Sequence, residues 1–404
     1  MGGLRLARNL ALVVAALVVS LLLLEGLCRL LPVPRYALTW LWDSVLGHRG
    51  PRSTLVDGIW FDSVWNQHGF RGDIYPTGYP GVSPVRVLIL GDSFTEGPGI
   101  PWVYTYPKVL ERALGRKLAR EVEVITLAAS DYGTANEFLA YQRYGWPYRP
   151  DIVLLQFFGG NDFINNSLAF AERNEGRSDF VRPYVIPEGE RGYRVYRRAG
   201  GLQFTHLHPV RRFLRLRSVL FRRVEAAWVG WRWRGLDRRR PPASCQVETE
   251  VFLHEPDASW RSAFAVTERI ARELKDLVED RGRSTSRLLA FSAPGVPEVD
   301  PEVWREGIAP MLARCHPGQP FGQLQSEARF QQVFRQAGIE TVSLRDAFEQ
   351  AVRAKRALYL PDGHFAVEGH RLASELLADA VAARLADASG RRPVAETGAG
   401  AVTR

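Results

Sequence analysis

The segment Asp151–Phe158 reads DIVLLQFF, with only Asp151 and Gln156 polar. A strand with one wet face alternates apolar and polar residues. This run does not, so both its faces must be covered, as in a parallel sheet wrapped by crossover helices. The neighbouring sequence supplies the rest of such a sheet. Val85–Leu90 and Val122–Ala128 read as short aliphatic strands. Between them, Tyr104–Leu118 gathers Val109, Leu110, Ala113, Leu114 and Leu118 on one helical side. Thr134–Tyr144 reads as the next helix. The rhythm breaks over residues 163–257, then resumes with a helix over Ser259–Asp280, a strand Arg287–Phe291, a helix near Gln323–Gln336, a strand Glu340–Leu344 and a last helix over about Val367–Leu385. About five strands separated by helices predict an α/β fold, a doubly wound parallel sheet with helices on both faces. Ligands of such sheets sit at the carboxyl ends of the strands, near the switch point.

The chain's ends read differently. Leu10–Leu24 is uncharged and apolar save Ser20, with Leu4 and Leu30–Leu31 extending it; Arg5 and Arg8 precede it, Arg29 and Arg35 follow. With its flanks the run reaches the ~20 residues of a membrane span, and the leading arginines favour an inside N-terminus. No small-residue cleavage site follows at a suitable distance. Residues 1–32 are therefore read as an uncleaved signal anchor, with a cleaved signal peptide as the rival, and the protein is expected in the plasma membrane with its bulk outside the cytoplasm. Residues 33–84, rich in Pro, Gly and Trp, form an irregular lead-in; 85–388 form the main domain, and the Gly/Ala/Arg-rich 389–404 is expected to be a disordered tail. The formal charge of +9 rests almost wholly on arginine, since Lys occurs only at Lys108, Lys117, Lys275 and Lys355. That bias follows genome composition and is no argument for nucleic acid. Cys28, Cys245 and Cys315 lack metal-ligand spacing; Cys245 and Cys315 either pair, as suits an oxidising compartment, or remain thiols.

The chemistry gathers where the strands end. The first strand runs into Gly91-Asp92-Ser93, placing a hydroxyl at the sheet's carboxyl edge; Phe94-Thr95 after it rules out a G-x-S-x-G elbow. The second leads to Ser130-Asp131-Tyr132-Gly133-Thr134, the third ends in Gly159-Gly160-Asn161-Asp162, and LPDGHFAVEGH near the C-terminus holds Asp362, His364 and His370. Each alone is an ordinary turn or helix cap. Together they offer a nucleophile, a base with its orienting carboxylate, and oxyanion donors at one rim. His370 reads as a packing or surface residue inside the last helix. The Gly-Pro-Gly after the serine lacks the Lys-Ser/Thr of a phosphate loop, and neither a metal nor a cofactor is expected.

These blocks resemble the SGNH (GDSL-type) hydrolase superfamily over roughly residues 62–385. GDSFT matches the block of the nucleophile, Ser93; Gly133 falls in the second block and Asn161 in the third, both oxyanion donors in the family; Asp362 and His364 match the last. NQHGFRG (Asn66–Gly72) resembles a lead-in of membrane-anchored bacterial members. The resemblance implies a three-layer, flavodoxin-like α/β/α domain and acyl transfer through Ser93. The substrate would be an ester on a small molecule, lipid or glycan. Esterase or deacylase is the first reading, and an O-acyltransferase acting on cell-surface polysaccharide the second. A silent glycan-binding module is a third, disfavoured by the intact Ser, Asn, Asp and His. Two departures stand out. Only Gly363 separates Asp362 from His364, as in polysaccharide O-acetylation relatives. Asp131 also stands where relatives often carry glycine, so its N–H competes with that of Gly133 as donor. Within the insertion, Val210–Arg234 places Val210, Phe213, Leu214, Leu220, Phe221, Val224 and Trp228 at helical spacing among arginines. This basic helix, ended by Pro241-Pro242, suits an anionic membrane surface, a lid, or a docked helix with a solvated face.

Overall fold

The computed structural model describes residues 2–31, 41–50, 64–78, 84–173, 182–190, 192–197, 208–237, 245–281 and 286–390. Its centre is a five-stranded parallel sheet of β1 (Val85–Gly91), β2 (Val122–Ala128), β3 (Ile152–Phe157), β4 (Arg287–Ser292) and β5 (Glu340–Ser343), in the order β2-β1-β3-β4-β5. All pairs are parallel, with Val87 opposite Val124 and Ile152, and Leu154 opposite Leu289. This order is that of the flavodoxin-like doubly wound sheets.

The apolar runs fold this way because successive side chains point to opposite faces. Leu88, Leu90, Ile125, Leu127, Val153, Leu155, Leu288 and Ala290 enter one core. Val87, Ile89, Val122, Val124, Ile152, Leu154, Leu289 and Phe291 enter the other. Thr134–Ala140, Ala258–Arg281 and Gln325–Gln336 cover the first; Tyr106–Leu118, Arg345–Arg353 and Val367–Gly390 cover the second. Each fully buried aliphatic contributes roughly 1.5–3 kcal/mol, so a one-residue slip of any strand would exchange its contacts with both cores.

The strands fall within one residue of the boundaries expected from sequence, and the differences lie elsewhere. The last helix runs on to Gly390, five residues past Leu385, so Ser389 and Gly390 are helical; 391–404 lie outside the described residues. The lead-in contains a two-stranded hairpin, Leu41–Asp43 with Gly47–Arg49, and the insertion another, Pro183–Pro187 with Tyr193–Arg197. The single basic helix expected over Val210–Arg234 is two helices, His208–Arg217 and Val219–Asp237. Ser218 breaks them by turning its hydroxyl to accept the Phe221 N–H, an N-cap that starts a new helix. Pro241-Pro242 lies outside the described residues. Cys245 and Cys315 form a disulfide, joining the end of the insertion to the helix Ala309–Cys315. Gly2–Leu30 is one continuous helix whose segment Arg5–Leu30 has the length and composition of a membrane span or signal sequence.

Candidate active site

At the end of β1 the backbone passes so close to its neighbours that only glycine fits. A Cβ on Gly91 would stand 2.1 Å from Thr95 Oγ1 and 2.6 Å from Gln156 Oε1. That side-chain oxygen of β3 accepts the Asp92 N–H (3.0 Å) and the Thr95 hydroxyl (2.9 Å). Because Thr95 gives its proton there, the Tyr106 hydroxyl donates to Thr95 (2.6 Å). Asp92, wholly buried, caps the one-turn helix Ser93–Glu96 by accepting the Phe94 N–H at 2.9 Å. The strand therefore turns within two residues, and Ser93 is left at the rim.

Facing it is the loop after Tyr359, closed by the Tyr359–Phe365 bridge. The Gly363 N–H donates to Leu360 O (3.0 Å), and Gly363 has φ 88, a left-handed value that glycine takes without strain. This turn carries His364 Nε2 to 2.8 Å from Ser93 Oγ across 271 residues of sequence. The ring also packs 5.3 Å from that of Phe94, which leans on Phe158 and Phe365. Asp362 is less tightly placed. Its Oδ1 accepts the His364 backbone N–H (3.1 Å) and stands 3.3 Å from His364 Nδ1, yet the ring nitrogen makes no geometrically sound hydrogen bond to it. The Asp362 side chain is 48% exposed.

Asn161 follows β3 and points its Nδ2 at Asp92 Oδ2, 2.9 Å away. One amide hydrogen is thus fixed on a buried carboxylate, and the other remains to be shared. Behind this contact lie two more buried acids. Asp162 Oδ2 accepts the Phe158 N–H at 2.6 Å and pins the Gly159-Gly160 turn; Glu137, on Thr134–Ala140, has both carboxyl oxygens without a hydrogen-bond partner. Burial pushes the carboxyls of Asp92, Asp162 and Glu137 upward, and the latter two are raised further by the acids beside them. In the second block, the Gly133 N–H faces Asn136 Oδ1 at 3.3 Å, and Asp131 takes φ 69, an uncommon backbone for a non-glycine residue. Its carboxylate is held by Arg182. Glu96 ties this block to the nucleophile turn by accepting both the N–H and the hydroxyl of Ser130. His370 is buried beside Tyr106, whose N–H it accepts on Nδ1 (3.1 Å), and burial lowers it to about 3, the neutral state of a packing residue.

Several supporting groups carried no legible role in the sequence. Arg71 of NQHGFRG donates to the carbonyls of Glu96, Gly97 and Ile100, clamping the loop after the serine. Asn66 of the same motif accepts the His68 and Phe70 N–H groups and donates to Thr126 O (3.0 Å), docking the lead-in on β2. An Arg or Asn read from sequence names no backbone partner. Their spacing within a single short motif is the signal that could have drawn attention to them. Among the described residues, no group of three or more His, Cys, Asp or Glu has metal-holding geometry.

The carboxyl rim of the parallel sheet thus presents a serine hydroxyl in hydrogen-bond contact with an imidazole, an arrangement able to generate a serine nucleophile. Residues 89–216 match the profile of the GDSL-like Lipase/Acylhydrolase family. Solved structures similar to the chain include an acetyl xylan esterase (10% identity, 74% of this chain and 100% of that one, TM-score 0.39). A lipase/acylhydrolase from Enterococcus faecalis is another (13% identity, 74% and 97% covered, TM-score 0.34). A third is a catalytic mutant of an acetylxylan esterase from Geobacillus stearothermophilus (11% identity, 73% and 93%, TM-score 0.37). No curated protein matches the sequence.

Proposed function

We propose that the protein is a membrane-anchored serine esterase or deacylase whose catalytic domain, residues 85–388, lies outside the cytoplasm. The observation that carries the reading is the 2.8 Å contact between Ser93 Oγ and His364 Nε2. With the ring protonated on Nδ1, Nε2 accepts the serine proton as Oγ attacks the ester carbonyl. Asp362, 3.3 Å from Nδ1, stabilises the imidazolium that results. The alkoxide leaving group takes that proton from His364, the acyl group stays on Ser93, and a water deprotonated by His364 then releases the acid. The oxyanion is met by the second amide hydrogen of Asn161, whose orientation Asp92 fixes, and by an N–H of the second block. Gly133 is the family's counterpart there, but its N–H already faces Asn136. Asp131 stands in a left-handed backbone conformation where relatives often carry glycine, which favours its N–H as the donor. The Cys245–Cys315 disulfide supports an oxidising compartment, and the single N-terminal apolar helix supports attachment to a membrane.

An O-acyltransferase would share every step up to the acyl-enzyme and differ only in the hydroxyl that accepts the acyl group. Incubating the full chain in detergent with an activated acetyl ester, with and without oligosaccharide, separates the readings. Free acetate in both arms supports the esterase, and acetylated sugar supports the transferase. Turnover that persists at the wild-type rate in folded Ser93→Ala refutes both.

A further inference from the structure

The contact between the N-terminal helix and the basic helices of the insertion has no part in the chemistry above. From Leu6 to Leu24 the helix is apolar and exposed apart from Arg8, Asn9 and Ser20. At 1.5 Å per residue that stretch covers about 28 Å, close to the ~30 Å hydrocarbon core of a bilayer. Glu25 comes next. Its carboxylate accepts the Ser218 hydroxyl (2.7 Å) and the N–H groups of Val219 and Leu220 (both 3.0 Å), and so caps the helix Val219–Asp237. Arg29 pairs with Glu25 (2.8 Å) and donates to Arg217 O (3.0 Å), while Arg223 reaches Leu31 O (3.1 Å). If Arg5–Leu30 spans a bilayer, this clamp stands where hydrocarbon gives way to headgroups; in either case it fixes the break between the two basic helices.

The surfaces those helices show suit that level. Val224, Trp228 and Trp231, spaced i, i+4, i+7 on one face, are 59%, 42% and 67% exposed; Val210 and Phe213 on the shorter helix are 54% and 63% exposed. His208–Asp237 holds eight arginines against two acids, Glu225 and Asp237. Tryptophan and aliphatic groups beside arginine are the composition of a helix lying in the bilayer interface, where arginine is attracted to anionic headgroups. The two helices are braced against each other by Arg211 and Glu225 (2.8 Å).

We propose that His208–Asp237 is a membrane-surface arm, clamped by Glu25 at the end of the N-terminal span. Its arginines other than the buried Arg222 and the Glu225-paired Arg211 bind anionic phospholipid headgroups while Val224, Trp228 and Trp231 enter the interface. This rests on the anchored reading, and the test keeps the two apart. The full chain is reconstituted into nanodiscs of phosphatidylcholine alone or mixed with phosphatidylglycerol, with lipids brominated near the headgroup. Tryptophan quenching is then compared between the wild type and W228F/W231F. The expected result is extra quenching in the anionic discs that is lost in W228F/W231F and weakened in Glu25→Gln. Failure of the chain to co-migrate with discs ends the span and the arm together. Co-migration with equal quenching in wild type and W228F/W231F ends the arm alone. A changed rate of W228F/W231F on a soluble ester in detergent, without lipid-dependent quenching, makes the segment a cover for the active site and also overturns the proposal.

Discussion

Replacing Asp362 by Asn isolates the electrostatic share of the catalytic relay. The amide oxygen still accepts the His364 N–H that Oδ1 accepts now, so the turn carrying the imidazole is kept and only the charge is lost. A charge pair near 4 Å is worth about 4 kcal/mol at an effective dielectric of 20 and about 1 kcal/mol in water. Asp362 stands 3.3 Å from Nδ1 and is 48% exposed, which places it between these limits. A loss of about 2–3 kcal/mol of transition-state stabilisation corresponds to roughly 30- to 150-fold in kcat/KM. That falls well short of the ~10⁴ that a wholly buried triad carboxylate supplies. The assay is hydrolysis of an activated aryl acetate by Asp362→Asn, His364→Ala and wild type, with folding checked by circular dichroism. A loss in Asp362→Asn equal to that in His364→Ala, or no loss at all, would refute the argument from exposure.

Asn161→Ala removes the proposed oxyanion donor and should lower kcat by about 10²–10³ with KM little changed; a pure KM effect would remove it from the hole. Glu298 is buried, accepts the Gly295 N–H, and is pushed up by burial to about 7. A carboxyl raised in the folded state adds stability at low pH that is lost as pH rises from its ordinary 4.5 through about 7. Denaturant titrations should show that loss in the wild type and a flatter profile in Glu298→Gln. Cys245→Ser/Cys315→Ser opens a crosslink spanning 70 residues and should cost about 2–4 kcal/mol; an unchanged denaturation midpoint would count against the crosslink.

How legible the molecule was from its sequence followed the range of the interaction. The sheet was legible because its first three strands are buried along their whole length, so composition alone marks Ile152–Phe157 and Val122–Ala128. The rim was legible because Ser93, Asn161 and His364 each follow a recognisable strand end or turn. The break at Ser218 was not, since its reason is a carboxylate 193 residues away. Nor was the contact that led us to propose Asp131 over Gly133 as the donor. Glycine looks the freer donor until Asn136, three residues on, is found facing its N–H. Glu137 read as one more helix residue, and only the packing of Asp92 and Asp162 beside it turns it into a buried acid.

Ten residues separate the end of the helix Gly2–Leu30 from the hairpin that opens at Leu41. No chain of that length can span more than about 40 Å. If that helix spans a bilayer, as proposed, a catalytic unit on so short a leash cannot roam toward a distant polymer. An ester carried by a lipid or a polymer would then have to come within a domain's width of the bilayer, while a small soluble ester could diffuse to it.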